Sequence, residues 1–470
     1  MDTLNQFGSN MQSGFGMSSG AELDNLSKAL EAGYATTPET QSNGGAFRVE
    51  SLENSLKVLT YSEQHIQFWK RIPKLTATNT VEEYNQLISY GSEGGGFIPE
   101  GQLPDTEDSQ YQRQAAFVKF LGTTREVSHQ MTLVNSAHGD VVSRYNQDGI
   151  LWMLKKLEHG LFWGNSKLAP GGKEYVEFDG LDNMIDPANT INMKGNPLEE
   201  RHMNWGAQMI VDNYGIPTDI FLPFEVHAQF SQEFFPKERV IMPTQQGYSA
   251  GVIVDQFQTQ GGKVNFTPDI FLKRTKPLNM TANSAKAPAL PASVTVGAIG
   301  SNNTQDGEFY NSGKGTYKYA VTACNRHGES APVFSSELVI GDGDLNKSHT
   351  LTITSAASTQ YPTEYFRVYR TEANGTQFFE IDRFAAAQAA PGTQTTFVDR
   401  NETMPNTFTA FMGEMNEQVL AFKQLAPMMK MDLATLSPSY RWMILLYGVP
   451  VLYAPKKWMR FKNIKATMSL

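Results

Sequence analysis

Apolar residues recur at helical spacing most clearly over residues 139–165, "GDVVSRYNQDGILWMLKKLEHGLFWGN". Ile150, Leu154, Leu157 and Leu161 share one face, with Val142 and Tyr145 upstream, which predicts a helix roughly 40 Å long. Gly149 and Gly160 fall inside it and are expected to weaken or bend it. A second helix is predicted in "GNPLEERHMNWGAQMIVDNYG" (195–215), with Met203, Ala207, Ile210 and Tyr214 on its apolar face. Asn196 reads as its N-cap, Pro197 suits the first turn, Glu199 completes a capping box, and Gly215 ends it. "TDIFLPFEVHAQFSQEFFP" (218–236) reads as a short buried strand, then a helix opened by Pro223 and closed by Pro236.

Elsewhere the pattern suits strands. "TATNTVEEYNQLISY" (76–90) and "YQRQAAFVKFLGTTREV" (111–127) are rich in Thr, Val, Tyr, Phe and Ile and predict a long hairpin. A strand of about 14 residues spans about 45 Å, and a lone two-stranded ribbon is marginal in water. Such an arm must lie on its own body or on a neighbouring chain, unless it is an ordinary hairpin with a mobile tip. From residue 284 an Ala/Pro/Ser linker, "ANSAKAPALPASV", precedes short alternating segments. Tyr317, Tyr319 and Val321 alternate with Lys318 and Ala320; Phe366, Val368 and Arg370 stand beside Arg367 and Tyr369; Asn374-Gly375 signals a hairpin turn. This stretch, residues 284–406, predicts an immunoglobulin-like or fibronectin-like β-sandwich. Mixed character then returns. Residues 408–425 are predicted helical in their later half, and 440–464 read as paired strands. The fold class is therefore α+β, with an all-β sandwich inserted into a discontinuous main domain. Residues 1–46 are a low-complexity arm of Gly, Ser, Asn, Gln and Met, with one helical patch at 21–33 carrying Leu23, Leu26 and Leu30. Alone it buries too little to fold.

The tip of the hairpin, "GSEGGGFIPEG" (91–101), raises the question of a phosphate loop. It has no following Lys-Ser/Thr, and no Lys or Arg occurs between Lys74 and Arg113. That interval carries Glu82, Glu83, Glu93, Glu100, Asp105, Glu107 and Asp108, so it repels an anion. "PKKWMRFKNIK" (455–465) is the opposite case, gathering Lys456, Lys457, Arg460, Lys462 and Lys465. It is either a solvated strand face or a docking surface for an acidic partner such as the arm of another copy.

Composition narrows the classes. At 470 residues the chain has room for two or three domains, and its net charge of −9 argues against a general nucleic-acid binder. A shell that encloses DNA without gripping it stays open. The single cysteine, Cys324, excludes an intrachain disulfide and fits a reducing compartment. The first residues show no signal-peptide core, and the longest apolar run, "WMILLYGVPVLYA" (442–454), is too short to span a bilayer. Neither a metal nor a cofactor is expected: the eight histidines are scattered. "GDGDLNK" (341–347) has Lys347 where a calcium loop needs glycine and Ile353 where it needs Glu, so it reads as a turn. "GYSAG" (247–251) matches the nucleophile elbow in letters, but a loop precedes Ser249 and a strand-like run follows it. It reads as a turn between strands, and no catalytic residue is expected.

The layout resembles the major capsid proteins of tailed bacteriophages, which share the Hong Kong (HK97-like) capsid fold, and is closer to those of large contractile-tailed phages of Gram-positive hosts. The stretches that carry the resemblance are "EFDGLDNMID" (177–186), "NTINMKGNPLEERHMN" (189–204), "PTDIFLPFEVHAQF" (217–230), "VDRNETMP" (398–405), "FMGEMNEQV" (411–419) and "LLYGVPVLYAPKKWMRFKNI" (445–464). The resemblance implies an N-terminal arm at 1–46 and an extended loop at 75–128 lying over an adjacent subunit. It implies a peripheral domain from 47–74 and 129–179, holding the long helix as its spine. Residues 180–283 and 407–470 would form the axial domain and closing peripheral strands, with 284–406 inserted. It also implies hexamers and pentamers closing into an icosahedral shell around double-stranded DNA, without sequence-specific contact. Partners would be further copies and a scaffolding protein, portal, or decoration or cement protein; no membrane is involved. Assembly would occur in the host bacterial cytoplasm, with the product in the virion. Some relatives join subunits by a lysine–asparagine isopeptide bond through this loop. The loop here has no lysine near its tip, so that crosslink is not carried over. Inter-subunit contacts are expected from Glu93, Glu100, Asp105, Glu107 and Asp108 on the arm and Lys456, Lys457, Arg460 and Lys462 on the receiving face. The alternative is a surface binding protein whose sandwich recognises a glycan or host surface.

Overall fold

The structure is a computed structural model that describes residues 60–466, apart from 92–96, 104–105, 135–138, 169–176, 235–240, 245–246, 251–253, 274–277, 298–308, 310–312, 357–359, 388–391 and 435–436. The N-terminal arm with its patch at 21–33, and Glu93 and Asp105, lie outside the described residues. The chain divides into two units, Met1–Val58 with Val134–Asp140, and Leu59–Leu133 with Val141–Leu470. Of the first only Val134, Gly139 and Asp140 are described; the second holds every element below.

A six-stranded sheet runs in the order Thr190–Asn192, Trp458–Ile464, Phe408–Gly413, Asp219–Leu222, Gly262–Pro268, Gln256–Thr259. Asp219–Leu222 is buried on both faces, which is why it reads as an unbroken apolar run. Ile220 and Leu222 point to one core, with Met203, Ala207 and Ile210 of the helix Glu200–Asp212 and Val226 and Phe230 of the helix Phe224–Phe234. Phe221 points to the other, 4.8 Å from the Phe68 ring centroid and stacked 6.4 Å from Trp458. The helix Glu200–Asp212 starts three residues later than the Asn196 cap predicts. Its N-cap is Glu199, whose N–H donates to His202 Nδ1 at 3.2 Å. It ends with Tyr214, not Gly215, in the left-handed region (φ 59°), and the Gly215 N–H donates to Ile210 O at 2.9 Å.

A four-stranded sheet, Lys74–Thr76, Leu420–Asp432, Ser439–Leu452, Lys119–Ser128, carries the long helix Val141–Trp163 on one face. Met153, Leu157 and Leu161 pack on Val127, Trp442, Ile444, Leu446 and Phe422. Gly149 belongs to the packing: a Cβ there would stand 2.6 Å from Ile444 Cδ1, so glycine lets the helix lie close on the strand. The helix predicted in residues 408–425 is absent; Leu420–Asp432 is a strand. Its Ala, Leu, Lys, Gln and Met are good helix formers, but pairing with Ser439–Leu452 decides the outcome, and Pro427 is accommodated where the register shifts between Ala426 and Met429. The strands predicted to pair within residues 440–464 do not pair with each other. Ser439–Leu452 joins the four-stranded sheet and Trp458–Ile464 the six-stranded one, with the turn Pro455–Lys457 between them. "GYSA" is not a turn: Gly247–Ala250 is a strand paired with Ile241–Thr244.

Residues 293–399 supply a separate core. Ser293–Val296, His349–Thr354 and Gln394–Asp399 form one sheet; Gly328–Glu329, Tyr319–Asn325, Tyr365–Thr371 and Phe378–Ala385 form another. Val294, Leu351 and Ile353 meet Tyr319, Val321, Phe366 and Val368 in one apolar cluster. The alternation read over Tyr317–Val321 holds at Lys318, which is exposed, but not at Ala320, because every residue of the strand Tyr319–Asn325 is buried. On the far side an ionic layer covers it: Arg367 meets Glu329 at 2.9 Å and Glu380 at 3.5 Å, and Tyr369 Oη donates to Glu329 at 2.7 Å. Arg370 is fully buried on the inner side. It pairs with Asp399 at 2.5 Å, donates to Asn401, and lies over the adjacent rings of Phe309 and Tyr317 at 5.0 and 5.3 Å. This unit is tied to the rest of the chain by directional bonds. Arg383 Nη2 donates to the Trp163 carbonyl at the C-terminal end of the long helix, where a cation also favours the helix dipole. Lys465 pairs with Glu372 at 3.2 Å, and the Met404 N–H donates to Asn463 Oδ1 at 2.8 Å.

Removing one partner of a buried ion pair strands the other charge. Arg370→Leu is expected to lower unfolding stability by about 3–5 kcal/mol, read as the denaturant midpoint of the full chain. Arg370→Leu with Asp399→Leu should recover part of that loss; a double-variant loss equal to the sum of the Arg370→Leu and Asp399→Leu losses would show that the pair is not coupled.

Candidate functional site

The arm is rooted by a small cluster and then leaves it. Val81–Ser89 and Gln110–Phe117 pair antiparallel, with Val81 opposite Phe117 and Leu87 opposite Tyr111. At Val118 the chain turns away, its N–H held by Thr80 O at 2.9 Å, and continues as Lys119–Ser128 in the four-stranded sheet. On the entry side the Ala77 N–H donates to Gln424 O at 2.8 Å. Ala77, Val118, Val449 and Val451 form the root, with Tyr84, Ala116, Tyr447 and Tyr453 packed on it. Tyr84 meets the Tyr453 ring edge-on at 5.0 Å, and Gln86 Nε2 donates to Tyr453 O at 2.5 Å. Glu82 and Lys423 pair at 2.8 Å with both side chains largely covered; the hydrogen bond that Lys423 donates to Glu82 raises the Lys423 pKa. Thus the first third of the ribbon lies on its own body.

The outer part is different. Leu87, Ile88, Tyr90, Phe97, Ile98, Leu103 and Tyr111 are all exposed, Tyr90, Phe97 and Leu103 at 85, 102 and 92%. Burying one large apolar side chain contributes roughly 1.5–3 kcal/mol, so this segment presents an unspent driving force along an arm. Large apolar side chains exposed in number on one segment are characteristic of interaction surfaces. Charge reasoning alone passes over these residues; the signal available was the set of large apolar side chains scattered among Gly and acids at 88–103. Gly101 has a positive φ of 85° in the turn where the Gln102 N–H reaches Pro99 O at 3.2 Å, the position that a type II turn reserves for glycine.

Glu100, Glu107 and Asp108 stand exposed on the same outer part, with Glu107 Oε2 only 2.8 Å from where a Cβ of Gly91 would be. The basic run is more committed. Lys457 pairs with Glu414 at 3.6 Å, and Arg460 with Asp182 at 2.8 Å and with Thr190 Oγ1 at 2.8 Å. Lys462 lies half-buried in the strand Trp458–Ile464, opposite Asn192, and Lys456 is exposed in the turn before it. Asp342 and Asp344 of "GDGDLNK" form ion pairs with Lys314 and Lys347, so cations of the chain itself hold these carboxylates. Among the described residues no group of three His, Cys, Asp or Glu is placed to hold a metal ion. Burial pushes the Cys324 thiol up to about 12, which leaves it unreactive as a nucleophile.

A family profile described as SU10 major capsid protein matches residues 34–303, more than half of the chain. The major capsid protein of Staphylococcus phage S25-3 is 30% identical over 446 residues, covering 94% of this chain and 95% of its own. That of Staphylococcus phage K is 30% identical over the same length and the same shares. Among solved structures, the capsid of a native GTA particle has a TM-score of 0.46 at 6% identity, covering 92% of this chain and 100% of that one; a likeness at that level adds nothing to the assignment. The resemblance read from the sequence is borne out at the level of family: the chain belongs to the SU10 major capsid protein family.

Proposed function

We propose that copies of this major capsid protein close into an icosahedral shell by laying the outer part of each arm over a neighbouring subunit. The observation that carries this reading is the division of the arm, with a root buried on its own body and an outer part that exposes Tyr90, Phe97, Ile98 and Leu103. A second copy supplies the missing apolar cover, repeated around hexamers and pentamers. On this reading the body has the HK97-like arrangement, with Val141–Trp163 as the spine of a peripheral domain and the six-stranded sheet in an axial domain. The unit at 284–406 is an inserted immunoglobulin-like sandwich. Glu93, Glu100, Asp105, Glu107 and Asp108 meet basic residues of the neighbour. Lys456 is the most accessible of these; Lys457, Arg460 and Lys462 would have to share existing contacts. The shell encloses double-stranded DNA without gripping it, in keeping with the net charge of −9. It is assembled in the host cytoplasm with scaffolding, portal and decoration proteins as partners. The role is structural, with no catalytic step.

Negative-stain microscopy of the purified chain is expected to show shells or curved sheets. Tyr90→Ser with Phe97→Ser and Leu103→Ser should leave the unfolding midpoint of the subunit unchanged while removing on the order of 5 kcal/mol per contact, so that sedimentation finds unassembled subunits. Normal shells from this triple variant would defeat the arm-lapping reading. Separately, Glu100→Lys with Glu107→Lys and Asp108→Lys is expected to raise the protein concentration needed for assembly. An unchanged threshold would show that the arm is held by its apolar residues alone.

A further inference from the structure

We propose that Glu158 and Asp269 form a proton-sharing clasp that fastens the chain leading into the arm to the long helix, and that opens when the shared proton is lost. Glu158 sits in the apolar stripe of the helix Val141–Trp163, beside Leu154, Leu157 and Leu161, and is 0% exposed. Its Oε1 accepts from the N–H groups of Gln67 and Phe68 at 2.8 and 2.6 Å, and its Oε2 from the Trp69 N–H at 2.8 Å. These three amides open the short helix Phe68–Arg71, where no intrahelical acceptor exists for them. Asp269, also 0% exposed, accepts from the Phe271 N–H through Oδ1 at 2.7 Å. Its Oδ2 is buried without a hydrogen-bond partner of its own, and its carboxyl group lies against that of Glu158, with the Phe68 N–H close to both. Two carboxyl groups make such a contact only when one of them holds a proton. Glu158 has three amide donors that favour its anion, so the proton resides on Asp269.

The surroundings give that proton no substitute. On the segment before the arm, Lys70 is paired with Glu63 at 3.8 Å and Arg71 with Asp219 at 2.8 Å. After Asp269, Lys273 is paired with Glu225. On the long helix, Lys155 stands over the Tyr61 ring at 4.8 Å. Burial, and next the neighbouring Glu158 charge, push Asp269 up to about 8; burial also raises Glu158. In an unfolded chain an aspartate titrates near 4. The native state therefore holds an extra proton between about pH 4 and 8, and the stabilisation from the clasp declines as pH rises through that window. Proton loss leaves two like charges side by side without water. What they hold is the segment carrying Phe68 and Trp69, which packs on Phe162, Phe221 and Phe422 and runs directly into Lys74–Thr76 and the ribbon.

The readout lies within one subunit, so it stands or falls independently of shell formation. Hydrogen exchange of the full-length chain, corrected for the intrinsic pH dependence of exchange, is expected to show protection of residues 60–73 falling by up to about tenfold per pH unit as pH rises from about 5 to 8, and levelling off above that. Asp269→Asn donates to Glu158 without titrating and should keep that protection flat from about pH 5 to 8. Glu158→Gln should lower it at every pH. Flat protection in the wild type, or the same fall in Asp269→Asn, overturns the proposal. Should Asp269→Asn not fold, infrared titration of the wild-type protein decides: a protonated carboxylic C=O band present at pH 7 and lost above about pH 8 supports the clasp, and no such band at pH 7 overturns it.

Discussion

A two-stranded ribbon has two faces and too few side chains to cover either. Here the chain spends the nearer part of one face on its own body, through Tyr84, Gln86 and Glu82 against Tyr453 and Lys423, and leaves the farther part apolar and open. Much of the remaining architecture serves that asymmetry. The root must be stiff for the outer part to be aimed at all, and stiffness comes from fastening both legs of the ribbon into one sheet. The entering leg is held through Ala77 on Gln424, and the leaving leg continues without interruption into Lys119–Ser128. The long helix then lies across that sheet as a brace, seated closely because Gly149 brings no Cβ between it and Ile444.

The two sheets are coupled by covalent continuity rather than by shared strand pairing. Ser439–Leu452 belongs to one and Trp458–Ile464 to the other, and only the turn Pro455–Lys457 separates them. Phe221, Trp458 and Phe411 of the six-stranded sheet share a core with Phe162 and Trp163 at the end of the long helix. A displacement of the helix is therefore felt in both sheets, since packed aromatic rings at these distances have no slack to absorb it.

What the sequence made legible was set by local pattern. The long helix announced itself through Ile150, Leu154, Leu157 and Leu161, and the strand Asp219–Leu222 through its unbroken apolar run. Glu158 drew no reading although it stands as a charge in a core register of that helix, because its partners lie about 90 and 110 positions away in sequence and no local rule pairs them. Leu420–Asp432 misled because its side chains favour helix, while the burial of Leu420 and Phe422 is supplied by pairing with Ser439–Leu452, whose far end lies about 30 positions on. The basic run at 456–465 looked available because Glu414, Asp182 and Glu372 are remote in sequence. The apolar residues at the arm's tip went unweighed because they follow neither helical nor strand periodicity, and exposure there is a property of the whole fold.

The attachment of the unit at 293–399 bears on how far it is interchangeable. Of its links to the body, Arg383 to the Trp163 carbonyl asks nothing of the side chain at position 163, because any residue ending that helix offers the same oxygen. Lys465 with Glu372, and Asn463 with the Met404 amide, depend on side chains from the body's last strand region. A foreign module grafted in its place would inherit the first tether for the cost of one arginine, and would need to match the residues near 463–465 and the turn Ser166–Leu168, against which the strand Phe378–Ala385 lies. The seam thus resembles a socket whose pins are identifiable, suited to carrying a different passenger on an unchanged frame.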